Sequence, residues 1–233
     1  MKIDKYLGQS GFTSRRKANE LIDEKKVVVN GKTATISTTV KEGDIVLVDG
    51  KELEVRDYVP TYIAYNKPKG IECTSEKIAN NIIDAVGHPQ NVYPVGRLDK
   101  ESEGLILLTN HTEIIDKIAN SKYNHEKEYI VTLNFPVRKQ FLKDISEGVL
   151  LNGEKVKTKP CTVSLEPNAK RIFRIVLTQG LNRQIRRMCT MFDYQVIKLQ
   201  RVRVMNIKLE KLKVGEWRDL TENELEDLLN SLE

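Results

Sequence analysis

The chain has 233 residues, 39% of them hydrophobic and 30% charged, with a formal net charge of +5. That length allows one large core or two domains of unequal size, and the balance excludes an intrinsically disordered chain. No apolar run approaches the roughly 18 residues of a membrane span, and the first residues lack the apolar stretch of a signal peptide, so a cytoplasmic protein that meets no membrane is expected. Cys73, Cys161 and Cys189 are widely spaced and form no CxxC pair. They argue against a disulfide framework or a zinc site and read as reduced thiols.

Residues 1–58 read as a module of their own. TSRRKANELIDEKK (13–26) opens on hydroxyl residues suited to an N-cap, and Ala18, Leu21 and Ile22 recur at helical spacing, which predicts a short amphipathic helix. VVVNGKTAT (27–35) carries the tight-turn signal Asn30-Gly31 between β-prone residues, and VKEGDIVLVDGKELEV (40–55) reads as further short strands around Gly43 and Gly50. A linker is expected at residues 56–61, where Pro60 interrupts regular structure.

Residues 59–233 alternate strand and helix signals without a repeat. The stretches YIAYNKPKG, IANNIIDAVG, VGRLDKESEGLILLTN, TEIIDKIAN, EKEYIVTLNF and RKQFLKDISEGV are followed by KPCTVSLE, RIFRIVLTQG, the helix NRQIRRMCTMF and the strands of QVIKLQRVRVMNIKL. This pattern predicts a mixed-sheet α+β domain. The chain closes on LTENELEDLLNSLE, where Thr221 and Glu224 suit a capping box and Leu225, Leu228, Leu229 and Leu232 form one apolar face.

Charge is unevenly spread. Residues 170–203 carry nine basic side chains and one acidic one, whereas residues 1–58 carry eleven basic and ten acidic. Only the first segment has a net field that would attract a polyanion.

Asp99 stands between Arg97 and Lys100, directly before the apolar run of residues 105–108. By itself it reads as a solvated turn residue. A carboxylate can nonetheless act as a nucleophile without an activating base, being ionised at neutral pH, provided that something holds it in place and keeps it charged. LTQGLNRQIRRMC (177–189) offers cations for that purpose, with Arg183 and Arg186 three apart on one helical face and Arg187 directed elsewhere. In EKEYIVTL, Tyr129 and Lys127 alternate onto one side of a strand, where a tyrosine could stack on a base or relay a proton. By composition alone, an ordinary rim aromatic is the stronger reading of Tyr129.

The N-terminal segment, with SRRKANELI followed by VVVNGK, resembles an S4-type RNA-binding domain. The resemblance implies that Arg15, Arg16 and Lys17, helped by Lys32, meet RNA phosphates. GRLDKESEGLILLTN, KEYIV and LTQGLNRQIRRMC, together with NKPKG, YPVGRLD and GEWRDLT, resemble the signature segments of the pseudouridine synthases, in the branch that carries an S4-like domain and modifies ribosomal RNA. That implies isomerisation of uridine to its C-glycoside. Asp99 would be the essential aspartate, Tyr129 the tyrosine that stacks on the target base, and Arg186 the cation paired with Asp99. Arg97 and Lys127 would help to hold the nucleotide, with Arg183 nearby and Ile185 packing in the pocket.

The implied substrate is ribosomal RNA, 23S ahead of the alternatives of small-subunit RNA or a tRNA; no metal or coenzyme is suggested, and a monomer is the default. The chemistry would need a dry pocket and an extruded base, an extrusion costing about a few kcal/mol. Whether Asp99 attacks C1', attacks uracil C6 or stabilises a cleaved glycal stays open. A noncatalytic RNA-binding or ribosome-assembly protein is the main rival, with Asp99 as a turn residue. A zinc base deaminase fits poorly, because the lone His111-Thr112-Glu113 reads as helix-end surface and Pro160-Cys161 lacks a second cysteine at position 164.

Overall fold

The computed structural model describes residues 1–233 except 11, 14, 54–58, 77 and 233, and the side chains of Gln9 and Arg15 are also outside it. The chain divides into two compact units, Met1–Thr61 and Tyr62–Glu233. Of the expected linker, residues 56–58 lie outside the described residues; Val59 and Pro60 are exposed.

The first unit opens with helices α1 (Ile3–Gln9) and α2 (Arg15–Asp23), followed by strands β1 (Val27–Val29), β2 (Lys32–Thr33), β3 (Val46–Val48) and β4 (Lys51–Glu52). The strands form an antiparallel sheet in the order β2-β1-β3-β4. Asn30 and Gly31 both have positive φ (48° and 77°), the backbone that a two-residue hairpin turn demands. Alternation sends Val27, Val29, Val46 and Val48 inward against Ile3, Leu7, Ala18, Leu21 and Ile22, which form the core of this unit.

The second unit contains β5 (Tyr62–Lys67), α3 (Ile82–Val86), β6 (Tyr93–Pro94), β7 (Glu103–Thr109), α4 (Glu113–Ala119), β8 (Lys127–Leu133) and α5 (Lys139–Ser146). These are followed by β9 (Thr162–Leu165), β10 (Ile172–Leu177), α6 (Gln184–Thr190), β11 (Val196–Val204), β12 (Ile207–Lys208), β13 (Trp217–Asp219) and α7 (Glu222–Asn230). Its nine-stranded sheet runs β13-β5-β7-β11-β8-β10-β9, with β12 on β11 and β6 on β7. The β7–β11 pair is parallel and its neighbours are antiparallel, so the sheet is mixed as expected. The expected capping box of Thr221 and Glu224 closes the start of α7.

The apolar run in β7 is continuous because the strand is covered on both faces. Leu105 and Leu107 pack with Ile118 and Leu228 on one side, and Ile106 and Leu108 pack with Ile63, Tyr65 and Ile82 on the other. A third cluster, around Phe141, Phe173, Met188 and Leu199, fills the space between α5, α6 and the strands β8, β10 and β11. Tyr129 packs at its edge.

On β8, Glu128 alternates to the face opposite Lys127 and Tyr129. There it accepts from Arg174 at 2.6 Å and Arg203 at 2.7 Å, while Arg174 also reaches Glu166 and Arg203 also reaches Glu126. Burial opposes the charge on Glu128, but the hydrogen bonds and charges of Arg203 and Arg174 prevail and hold its carboxyl below the usual range. A carboxyl depressed in the folded state stabilises above its unfolded pKa and loses that contribution on acidification. Glu128→Gln is therefore expected to lower stability by about 1–3 kcal/mol at pH 7, because it leaves two arginines short of a partner. Thermal unfolding should show variant and wild type converging below about pH 4.

Candidate active site

A cleft of about 670 Å³ opens where the third cluster meets the loop that precedes β7. Arg97, Leu98 and Asp99 form one wall, residues 179–185 the other, and Lys127, Tyr129, Leu199 and Arg201 line it from the sheet. Arg97, Asp99, Lys127, Tyr129, Arg183 and Ile185, which come from three separate sequence segments, thus share one cavity.

The loop bearing Asp99 is fixed from behind. The Leu98 N–H donates to Cys73 Sγ at 3.3 Å, the Cys73 thiol donates back to the Leu98 carbonyl at 3.2 Å, and the Ser102 N–H closes a turn onto the Asp99 carbonyl at 2.9 Å. Lys67 is fully buried at the end of β5 and donates from Nζ to the carbonyls of Pro68 and Ile71, both at 2.9 Å. Burial lowers its pKa, and the Asp99 carboxylate is among the charges that favour its protonated form. Burial also pushes the Cys73 thiol up, so this thiol acts as a hydrogen-bonding spacer and not as a nucleophile.

Arg186 stands elsewhere than expected. It does not line the cleft: its guanidinium donates to the carbonyls of Val196 (3.2 Å) and Glu101 (3.4 Å) and to Ser102 Oγ (3.3 Å). The reason is helical geometry. Successive residues on a helix point about 100° apart, so when Ile185, 4% exposed, turns into the cleft and core, Arg186 must turn away. Arg183 and Arg186 do converge, three residues apart, but on Glu101 (3.0 and 4.0 Å) and not on Asp99. Arg187 points elsewhere, to Glu154. Arg183 itself is the residue before α6 and has left-handed backbone (φ 49°), a strain of about 1–2 kcal/mol for a side chain of its size.

A buried cation that the sequence did not single out, Arg201 on β11, does line the cleft. It is only 3% exposed, its Nε donates to the Leu105 carbonyl at 2.6 Å, and one terminal nitrogen donates to the Arg97 carbonyl at 3.3 Å. The other terminal nitrogen is buried without a hydrogen-bond partner. Arg201 thus ties the Asp99 loop to β11, opposite Tyr129 in the β11–β8 register, and keeps one donor unspent.

Burial, and then the charge of Arg201, lower the Lys127 ammonium to about 8. A lysine with a folded pKa below its unfolded value of about 10.4 binds its proton less tightly when folded, so its burial destabilises at neutral pH and the cost fades as pH rises from about 8 to 10.4. Lys127→Met is expected to be more stable than wild type at pH 7, with the gap closing by about pH 10. Denaturant titrations at both pH values check this.

In the first unit, Arg16 and Lys17 both lean on Glu20 (3.6 and 2.8 Å) along α2, and Lys32 is exposed on β2. The Arg15 side chain lies outside the described residues.

Cleft and sheet together define a class of enzyme. Residues 61–191 match the family described as RNA pseudouridylate synthase, and residues 1–52 match the S4 domain. The chain belongs to the RNA pseudouridylate synthases, enzymes that isomerise uridine within RNA, and carries an S4 domain at its N-terminal end. It is 48% identical, over 100% of its own length and 80% of the relative's, to the dual-specificity RNA pseudouridine synthase RluF of Escherichia coli. It is 34% identical to the ribosomal large subunit pseudouridine synthase B of Bacillus subtilis, covering 97% of this chain and 95% of that one. A crystal structure of a pseudouridylate synthase superposes with a TM-score of 0.70 at 29% identity, covering 98% of this chain and 99% of the other.

Proposed function

We propose that this chain isomerises a uridine of ribosomal RNA, 23S in the first place, with a tRNA as a second substrate, and that Asp99 is its reacting carboxylate. The observation that carries the site is the meeting of Asp99, Tyr129 and the buried guanidinium of Arg201 in one cleft. In this reading the target uridine leaves its stack, its base lies on Tyr129, and Arg97, Lys127 and Arg183 offset the cost of extrusion through charge. Ile185 packs against the base edge. The bond between C1' and N1 breaks, the uracil turns, C5 joins C1', the C5 proton leaves to solvent through Tyr129 or another group, and N1 takes up a proton in its place. Arg201 takes the part expected of Arg186: its unspent donor is available to Asp99 or to a uracil carbonyl when the base is bound. Arg186 orders the loop from outside, through Glu101 and Ser102.

The choice of large-subunit RNA draws on the name of the Bacillus subtilis relative, and in this reading residues 1–58 bind RNA and residues 59–233 carry the chemistry. Arg15, Arg16, Lys17 and Lys32 would meet phosphates in the first part. The same reading takes the protein as a monomer acting in the cytoplasm, where RNA is met.

Tritium release from RNA labelled at uridine C5 tests the whole. Release from 23S transcript and tRNA but not from small-subunit RNA is the expected result. Release from small-subunit RNA alone overturns the substrate, and binding without any release from any RNA overturns the assigned chemistry in favour of an assembly factor.

A further inference from the structure

A second recess of about 1020 Å³ adjoins the cleft, open along its length and lined by Lys69, Lys100, Glu101, Arg183, Arg186 and Asp193 among others. Lys100 and Arg183 line both recesses, so the two are separated only by the ridge these residues form. The Gly70 N–H donates to the Lys100 carbonyl at 2.8 Å, which holds the loop carrying exposed Lys69 against this ridge.

We propose that this groove seats the backbone phosphates of the nucleotides flanking the flipped uridine, and that Glu101 occupies its arginines until RNA replaces it. The inference rests on the reading that the Asp99 cleft takes the uridine. A nucleotide buried there leaves its neighbours outside, and their phosphodiesters must cross the rim. The four cations of the groove line that path, where a mononucleotide would find only an open trough.

Glu101 is placed as a competitor. It is 59% exposed, bonded to Arg183 at 3.0 Å and within 4.0 Å of Arg186, and the hydrogen bond and charge of Arg183, then the charges of Arg186 and Lys69, hold its carboxyl below the usual range. Lys100 is likewise lent to Glu72 at 2.7 Å. Exposed pairs of this kind are weak, so a phosphate can exchange for either carboxylate with little loss, and it offers arginine a two-pronged contact.

The signs of two substitutions separate this from a merely structural ion pair. In the full-length protein, with 23S transcript as probe and Kd followed from about 0.05 to 0.5 M salt, Glu101→Gln is expected to bind about 3–10-fold more tightly at low salt, because one competitor for the phosphates is gone. Lys69→Ala is expected to bind about 3–10-fold more weakly, with the slope of log K against log salt reduced by about 0.7, the loss of one single-strand phosphate contact. Unchanged or weaker binding by Glu101→Gln, or an unchanged slope for Lys69→Ala, overturns the proposal. Tritium release by the wild type is measured alongside. Release with insensitive variants sinks the groove alone, and no release sinks the uridine reading whatever the slopes do.

Discussion

Asp99→Asn is expected to abolish isomerisation while leaving RNA affinity and fold nearly intact. The carboxylate is half-buried at the cleft wall and accepts no hydrogen bond among the described residues, so an amide of equal volume disturbs no packing. What it removes is the carboxylate's negative charge, which on the proposed reading each of the three routes needs. Loss of a reacting group of this kind costs roughly 10⁴–10⁶-fold in turnover, or about 5–8 kcal/mol of barrier. Single-turnover tritium release at saturating enzyme measures it, with Kd for the same RNA taken in parallel. Turnover within tenfold of wild type would reject Asp99 as the reacting group. A matching loss of affinity would instead make it a binding residue.

Gly104→Ala is expected to be strongly damaging, as is Gly148→Ala, whose added Cβ meets the Thr158 carbonyl. Gly104 has φ 105°, and a Cβ there would lie 2.3 Å from the Arg201 carbonyl oxygen and 2.7 Å from the Arg201 nitrogen. Both are backbone atoms of the parallel partner strand, so no side chain can swing away; the strands must part. Strain and overpacking together cost roughly 2–5 kcal/mol, or about 5–15 °C in Tm for a unit of this size. Parting the strands also moves Arg201, whose guanidinium holds the Arg97 and Leu105 carbonyls, and misplacement by about 1 Å costs roughly 10²-fold in rate. Gly180→Ala is the control: it has no positive φ and no atom within 4 Å of the added Cβ, and should keep wild-type stability. Equal Tm values for the two variants would refute the packing account.

The elements were legible where periodicity was long or turn chemistry explicit. The three valines before the Asn30-Gly31 turn, the apolar run of β7 and the capped final helix each state their structure locally. Short strands such as β6 and β13 have two and three residues and form only because β7 and β5 offer an edge, information that no local window contains. The same limit hid Arg201. In QVIKLQRVRV it is one basic residue among several, and Lys198 and Arg203 beside it do make ion pairs with partly exposed glutamates. Its burial is decided by the approach of β7 at Gly104, and the one trace of this in the sequence was a glycine set directly before an apolar run. Arg186 was misplaced for the opposite reason: helical spacing correctly grouped it with Arg183, but which residue of α6 faces inward is settled by Ile185 and the core.

The position of β11 has a consequence for synthesis. This strand lies between β7 and β8, so before residues 196–204 leave the ribosome the sheet exists as two halves, β13-lacking β5-β7 on one side and β8-β10-β9 on the other. Asp99 belongs to the first half and Tyr129 to the second. Pairings this distant in sequence form slowly and late. A nascent chain can therefore complete its first unit, whose strands all fall within about sixty residues, long before it owns a cleft. During translation it is able to present its S4 domain, and it gains its cleft only when β11 arrives as a wedge that joins the two halves.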